Sequence, residues 1–295
     1  MSCRSCLWVA VAMLLGIPAV VAQEKKPAKK PAKQPAVKTA PSLIPDAKLE
    51  AVVRSYIFDK RNTDKPLTEE DLRKVFILHG NSRGVKDLTG LEKCTNLLEI
   101  RLAKNAIADV TPLAKLTKLQ SLDLAGNAVR DLAPLGGLTK LQYLNLAGNE
   151  IEKVDPLAEL TKLSALYLSD NKIKSIDSLA GLTRLSSLYL DGNALTAVAA
   201  LGKINRLTSL DLSGNQISDL SPLSAQTDLK FLLLENNKVA DLGPLVAVCT
   251  KDAKGDQRMA AFLRVYLEGN PLSPKAKTEQ VKALEQLGVR VNPKK

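Results

Sequence analysis

Residues 97–118 read LLEIRLAKNAIADVTPLAKLTK and residues 119–140 read LQSLDLAGNAVRDLAPLGGLTK, two segments of equal length that align without a gap. Outward from this pair the same 22-residue frame holds Asn105, Asn127, Asn149, Asn171, Asn193, Asn215 and Asn237 at a constant interval. Every Asn follows apolar residues eight, five and three positions earlier, as in Leu97, Ile100 and Leu102 or Leu119, Leu122 and Leu124. Further apolar sites follow it, as in Ile107, Val110, Leu113 and Leu116, and the consensus is LxxLxLxxNxIxDLxPLxxLTx. A fixed period of this length marks a solenoid in which each unit is one coil.

The LxL portion alternates in and out with period two, so it predicts a short strand with leucines inward. The Asn falls where the chain must turn, and its amide bonds backbone groups of its own and the neighbouring coil. The Pro-Leu stretch predicts an extended or single-turn 3₁₀ return, because prolines suit a full helix poorly. One coil cannot bury its leucines alone, so the array must be stacked and capped.

The units span 97–272. An eighth, with Phe262, Val265 and Leu267, arrives late: the period would place its asparagine at Met259, and it stands instead at Asn270. The extra residues, about 251–261, are expected to bulge from the convex side or an edge. Residues 273–295 predict a C-terminal cap, a helix from Ser273-Pro274 to about Leu287 ended by Gly288. Residues 43–96 predict a helical N-terminal cap and a first partial repeat. One helix runs from Ile44 to about Phe58; a shorter one is started by Thr68 and Asp71 as a capping box.

The phrases IPDAKLEAVVRSYI, LTEEDLRKV and GVKDLTGLEKCTNL, and the ending LEGNPLSPKAKTEQVKALEQLGVRV, resemble the caps of internalin-like bacterial leucine-rich-repeat proteins, over roughly residues 43–295. The resemblance implies an α/β leucine-rich-repeat solenoid. Such a fold is a curved right-handed superhelix with a parallel sheet on its concave face and a 3₁₀ or extended convex side. It also implies a secreted, non-enzymatic protein-binding scaffold, while leaving the partner open. Adhesive internalins carry further C-terminal modules and a wall-sorting signal that this sequence does not show, so adhesion is not carried over.

Ahead of the repeats, residues 1–22 read as a secretory signal, with Arg4, an apolar run from Leu7 to Val21, and Val20 and Ala22 before a cleavage point at Ala22/Gln23. Secretion or a periplasmic location follows; an uncut signal would instead act as a membrane anchor. Residues 23–42, QEKKPAKKPAKQPAVKTAPS, hold six of the lysines behind the formal net charge of +11. They predict a disordered linker, read either as a solvated spacer or as an attachment to anionic envelope polymer or membrane surface. Cys3 and Cys6 leave with a cleaved signal. Cys94 and Cys249 read as buried thiols, since strands about 4.8 Å apart would hold them far beyond the ~7 Å reach of a disulfide.

Strand residues between the inward leucines face the concave side in three columns. The first is Glu99, Ser121, Tyr143, Ala165, Ser187, Ser209, Phe231 and Arg264. The second is Arg101, Asp123, Asn145, Tyr167, Tyr189, Asp211, Leu233 and Tyr266, and the third is Ala103, Ala125, Ala147, Ser169, Asp191, Ser213, Glu235 and Glu268. Four of the chain's five tyrosines fall here. Two readings stand: a binding surface, where Tyr is favoured, or the preference of Tyr for exposed strands. Under the first, Arg101, Asp123, Tyr143, Asn145, Tyr167, Tyr189, Asp191, Asp211, Phe231, Leu233, Glu235, Arg264, Tyr266 and Glu268 contact a protein or peptide. Six acidic against two basic residues favour a basic or polyhydroxyl partner and disfavour nucleic acid on this face. A monomer is expected.

Nothing points to an enzyme. His79 is the one histidine, no Ser/His/Asp set or metal spacing assembles, and Gly126, Gly148, Gly192 and Gly214 belong to repeat turns, not to a phosphate loop. The carboxylates Asp191 and Asp211 fall on adjacent strands, as some pair must across so many coils. No catalytic residue, cofactor or metal is expected.

Overall fold

A computed structural model describes residues 42–292; the expected signal peptide and nearly all of the expected linker lie outside the described residues. Ten strands form one sheet in chain order: β1 Ile77–His79, β2 Glu99–Arg101, β3 Ser121–Asp123, β4 Tyr143–Asn145, β5 Ala165–Tyr167, β6 Ser187–Tyr189, β7 Ser209–Asp211, β8 Phe231–Leu233, β9 Arg264–Tyr266 and β10 Arg290–Val291. Each pairs in parallel with the next, and from β1 to β8 the register advances by one repeat, as in Leu122 beside Leu144 beside Leu166. The chain is a leucine-rich-repeat solenoid.

Such short strands are held because their central side chains are sealed from water: Ile100, Leu122, Leu144, Leu166, Leu188, Leu210 and Leu232 are all fully buried. Each buried leucine contributes about 2 kcal/mol, and none could be buried by its own coil alone. The polar interior is closed by the asparagines. Asn149 Oδ1 accepts the Val129 N–H at 3.0 Å, while its Nδ2 donates to the carbonyls of Leu124, one coil back, and Leu146. The pattern repeats from Asn105 to Asn270. It ends with Asn292, whose Oδ1 accepts the Leu267 N–H at 2.7 Å.

On the convex side the returns are 3₁₀ turns such as Thr111–Leu113, Ala133–Leu135 and Asp155–Leu157, with proline in the first turn. Asp109, Asp131 and Asp219 lead into three of these turns, each side chain accepting the N–H two residues on. The seventh coil departs from the expected return. There Gly243–Lys254 form a helix of 12 residues with Pro244 in its first turn, where a missing N–H costs nothing. The extra chain is thus absorbed as a convex helix that begins ahead of the expected 251–261. It also shifts the re-entry by one residue. Phe262, expected inward, is 61% exposed, and Leu263 fills the core instead.

Gln226 stands where earlier coils carry Leu116, Leu138, Leu160, Leu182 and Ile204. It is 1% exposed, and its Nε2 donates to the carbonyls of Leu201 and Ile204, both at 2.8 Å. Among the described residues its Oε1 has no partner.

Both ends are covered. Helix α1, Ala47–Ser55, buries Leu49, Val52 and Val53. Its N-cap Asp46 accepts from Lys48 and Leu49 within the helix through one oxygen and from Lys86 and Asp87 of the first coil through the other. One carboxylate therefore both starts the cap and ties it to the array. Helix α2, Glu69–Arg73, opens with the Thr68–Asp71 capping box. Gly90, at φ +97°, lets the chain pass Leu43: a Cβ there would lie 2.1 Å from the Leu43 carbonyl oxygen. At the far end a helical segment from Pro274 through the π turn Ala276–Gln280 to Val281–Gln286 is followed by Gly288 at φ +87° and by β10, which extends the sheet past the expected cap helix. Cys94 and Cys249 are free and buried. Burial, then the charges of Glu92 and Asp252 respectively, push both thiols up to about 12.

Candidate functional site

The three columns expected from the repeat lie side by side in the sheet. Tyr143 pairs in register with Ala165, Asn145 with Tyr167, Tyr167 with Tyr189, and Tyr189 with Asp211. Parallel strands run about 4.8 Å apart, close to the spacing of stacked rings. Tyrosines in one column on consecutive strands are therefore brought face to face. Tyr167 and Tyr189 are stacked, centroids 4.9 Å apart and planes 16° from parallel. Tyr143, one column over, meets Tyr167 at 5.5 Å and 44°. The first-column residues beside this stack, Ala165, Ser187 and Ser209, are small, and larger rings stand at either end, Tyr143 on β4 and Phe231 on β8. The result is a shallow trough three strands wide, rimmed by aromatics.

Charge divides the face. At its N-terminal edge Glu99 lies 2.7 Å from both Arg101 Nε and His79 Nε2. Toward the other end the Arg264 guanidinium sits over the Phe231 ring at 5.4 Å, and Phe231 remains 39% exposed. The two basic residues of the columns are thus engaged within the face. Between them, Asp211 accepts the Ser213 N–H at 2.9 Å, Asp191 accepts the Ser169 hydroxyl, and Glu235 accepts the Ser213 hydroxyl at 3.1 Å. Burial, with the charges of Asp191 and Glu235, raises the Asp211 carboxyl above its ordinary value against the opposing Ser213 bonds. Burial first, then Asp123, raises the Tyr143 hydroxyl, and burial with Tyr189 raises that of Tyr167.

Asp123 and Asn145 turn back on the N–H groups of Ala125 and Ala147. Leu233, Tyr266 and Glu268 fall at their expected positions on or just after β8 and β9. The columns also begin one strand earlier than expected. Ile77 and His79 on β1 pair with Glu99 and Arg101. Their signal was the same repeat offset without an asparagine, since Arg83 holds the ladder position. Phe76, Ile77 and Leu98 add an exposed apolar edge there.

No group of three or more metal-ligating side chains occurs among the described residues, and none of their helices is long and apolar enough to cross a membrane. A depression of 490 Å³ lies away from the sheet, against Arg130, Glu150, Glu152 and Lys153. Its central carboxylate, Glu150, is already bridged to Arg130 and Lys172.

Leucine-rich-repeat family models match residues 139–195, and as paired copies residues 117–159 and 205–247. Internalin C2 of Listeria monocytogenes is 34% identical over 70% of this chain and 91% of its own, with a TM-score of 0.67. The chain belongs to the internalin-like leucine-rich-repeat family. A second Listeria monocytogenes internalin, InlF, is 27% identical, covers 86% of this internalin-like chain and 74% of its own, and has a TM-score of 0.73. A Leptospira interrogans leucine-rich-repeat protein, 23% identical over 76% of this chain and 62% of its own with a TM-score of 0.63, shares the fold. No curated protein sequence matches the internalin-like chain. Its fold is one typical of protein-binding scaffolds.

Proposed function

We propose that this internalin-like chain is a non-enzymatic extracytoplasmic scaffold that binds a protein or peptide across the concave face of its sheet. The observation that carries the reading is the Tyr143–Tyr167–Tyr189 cluster. Three adjacent strands present half-buried rings to solvent, beside small residues that leave the sheet accessible. Tyr offers large contact area at low entropic cost and is enriched where interfaces concentrate their energy. Strand preference alone would scatter tyrosines along the columns; here they are consecutive. Capture from envelope extract with the wild type and with a Tyr167→Ala/Tyr189→Ala variant tests it. The partner should be lost with the variant, and equal recovery by both would overturn the concave site.

The lysines of residues 23–42 favour a second role, attachment of the scaffold to anionic wall polymer or a membrane surface. Deleting the segment should then abolish envelope retention, and added salt should mimic the deletion. Export follows from the reading of residues 1–22 as a signal, and fractionation with N-terminal sequencing checks both the compartment and cleavage after Ala22.

A further inference from the structure

We infer that the Tyr189–Asp211 step of the concave sheet is the seat of a cationic side chain, an arginine carried by an extended segment of the bound partner. This rests on the concave-face reading above and specifies its chemistry. Tyr189 and Asp211 are register partners on adjacent strands, so a stacked aromatic face and a carboxylate stand side by side, about 4.8 Å apart along the sheet. Tyr189 is the end of the stack. Tyr167 covers one side of its ring, and on the side toward β7 its register partner is Asp211, not another tyrosine, with the small Ser209 two residues before Asp211 on the same strand. Asp191 and Glu235, both acidic, act on Asp211 through their charge. Negative charge is concentrated at a half-buried position, where an incoming cation is rewarded more than at an open surface.

The same face shows how it holds a guanidinium. On the next two strands, Arg264 of β9 sits over Phe231 of β8 at 5.4 Å. An arginine of the partner placed over Tyr189 would repeat that arrangement two strands earlier, with the Asp211 and Asp191 carboxylates as acceptors for its fork of N–H groups. The trough floored by Ala165, Ser187 and Ser209 admits an extended backbone, since no bulky side chain crosses it between Tyr143 and Phe231. Arginine fits better than lysine because a planar guanidinium stacks on a ring and presents bonds to two carboxylates at once. The mirror class, an acidic or nucleic-acid ligand, would bring like charge to these carboxylates.

Tetra-arginine amide and its uncharged isostere tetra-citrulline amide, titrated into the full chain by calorimetry, separate charge from shape. Arginine should bind about tenfold more tightly than citrulline, and the difference should fade with salt. Asp211→Asn and Asp191→Asn, close in shape, should each erase most of the preference. Glu152→Gln, an exposed carboxylate away from the sheet, should leave it intact. Equal binding of the two peptides, or equal loss with Glu152→Gln, overturns the seat. If the peptides fail to discriminate while the Tyr167→Ala/Tyr189→Ala variant still loses its captured partner, the seat falls and the concave face stands. If the variant keeps its partner while the arginine preference maps to Asp211, the seat stands and the face is not where that partner binds.

Discussion

Asn270 accepts the backbone N–H of Val239 at 3.0 Å across 31 residues of chain, whereas Asn149 reaches Val129 at the same distance across 20. The ladder therefore closes over the inserted chain without a change in its geometry, because the convex helix Gly243–Lys254 takes up the difference. The contact is set by the stacking of coils and is indifferent to how much chain connects them.

Removing a ladder side chain should leave buried backbone groups without partners. Asn149→Ala strips one acceptor and two donors' worth of bonding from a buried site, and should cost about 3 kcal/mol. Asn270→Ala, at a less enclosed position, should cost about half of that. Urea unfolding checks the order; equal costs, or a negligible effect of Asn149→Ala, would refute the ladder's role.

Asp46 links the cap to the first coil, so Asp46→Ala should cost about 1 kcal/mol or more as a lost N-cap, with added fraying at Lys86 and Asp87. Burial works to raise this carboxyl, but four backbone N–H bonds, from Lys86, Leu49, Asp87 and Lys48, hold it below its ordinary 3.8. A lowered folded value means a stabilisation fully present above 3.8 and lost as pH falls through the folded value. The wild type should lose more stability on acidification than Asp46→Asn, measured by thermal unfolding across the carboxylate range.

Asp211 has the opposite sign. Its folded value is raised, mainly by burial and then by Asp191 and Glu235, so the native state holds its proton longer than the unfolded chain does. Stability contributed by that proton is present below the ordinary 3.8 and is lost as pH rises through the folded value. Asp211→Asn, which keeps an acceptor for the Ser213 N–H, should therefore be more stable than wild type at neutral pH while binding arginine peptides less well. A destabilised Asp211→Asn at neutral pH would contradict the assignment.

Cys94 and Cys249 should resist alkylation in the native protein, because thiols pushed up to about 12 supply almost no thiolate at neutral pH and are shielded by the core. In a form lacking Cys3 and Cys6, mass spectrometry after iodoacetamide should find both unmodified until denaturant is added. Rapid native labelling of either would show that its coil opens.

The fold was legible in the sequence because its forces repeat with the chain: leucines at fixed intervals can be buried together in one way only, and asparagines one repeat apart mark where the backbone must turn. The same regularity placed the concave columns from Glu99 to Glu268, since in-register strands convert sequence offset directly into position, but not Ile77 and His79 on β1, whose coil carries no asparagine at the ladder position to mark it. Tertiary structure decided what has no period. Leu263 displaced Phe262 from the core because the convex helix altered where the chain re-enters the sheet. Asp46 found Lys86, and Arg264 found the ring of Phe231, because packing brought together segments distant along the chain that no local pattern pairs.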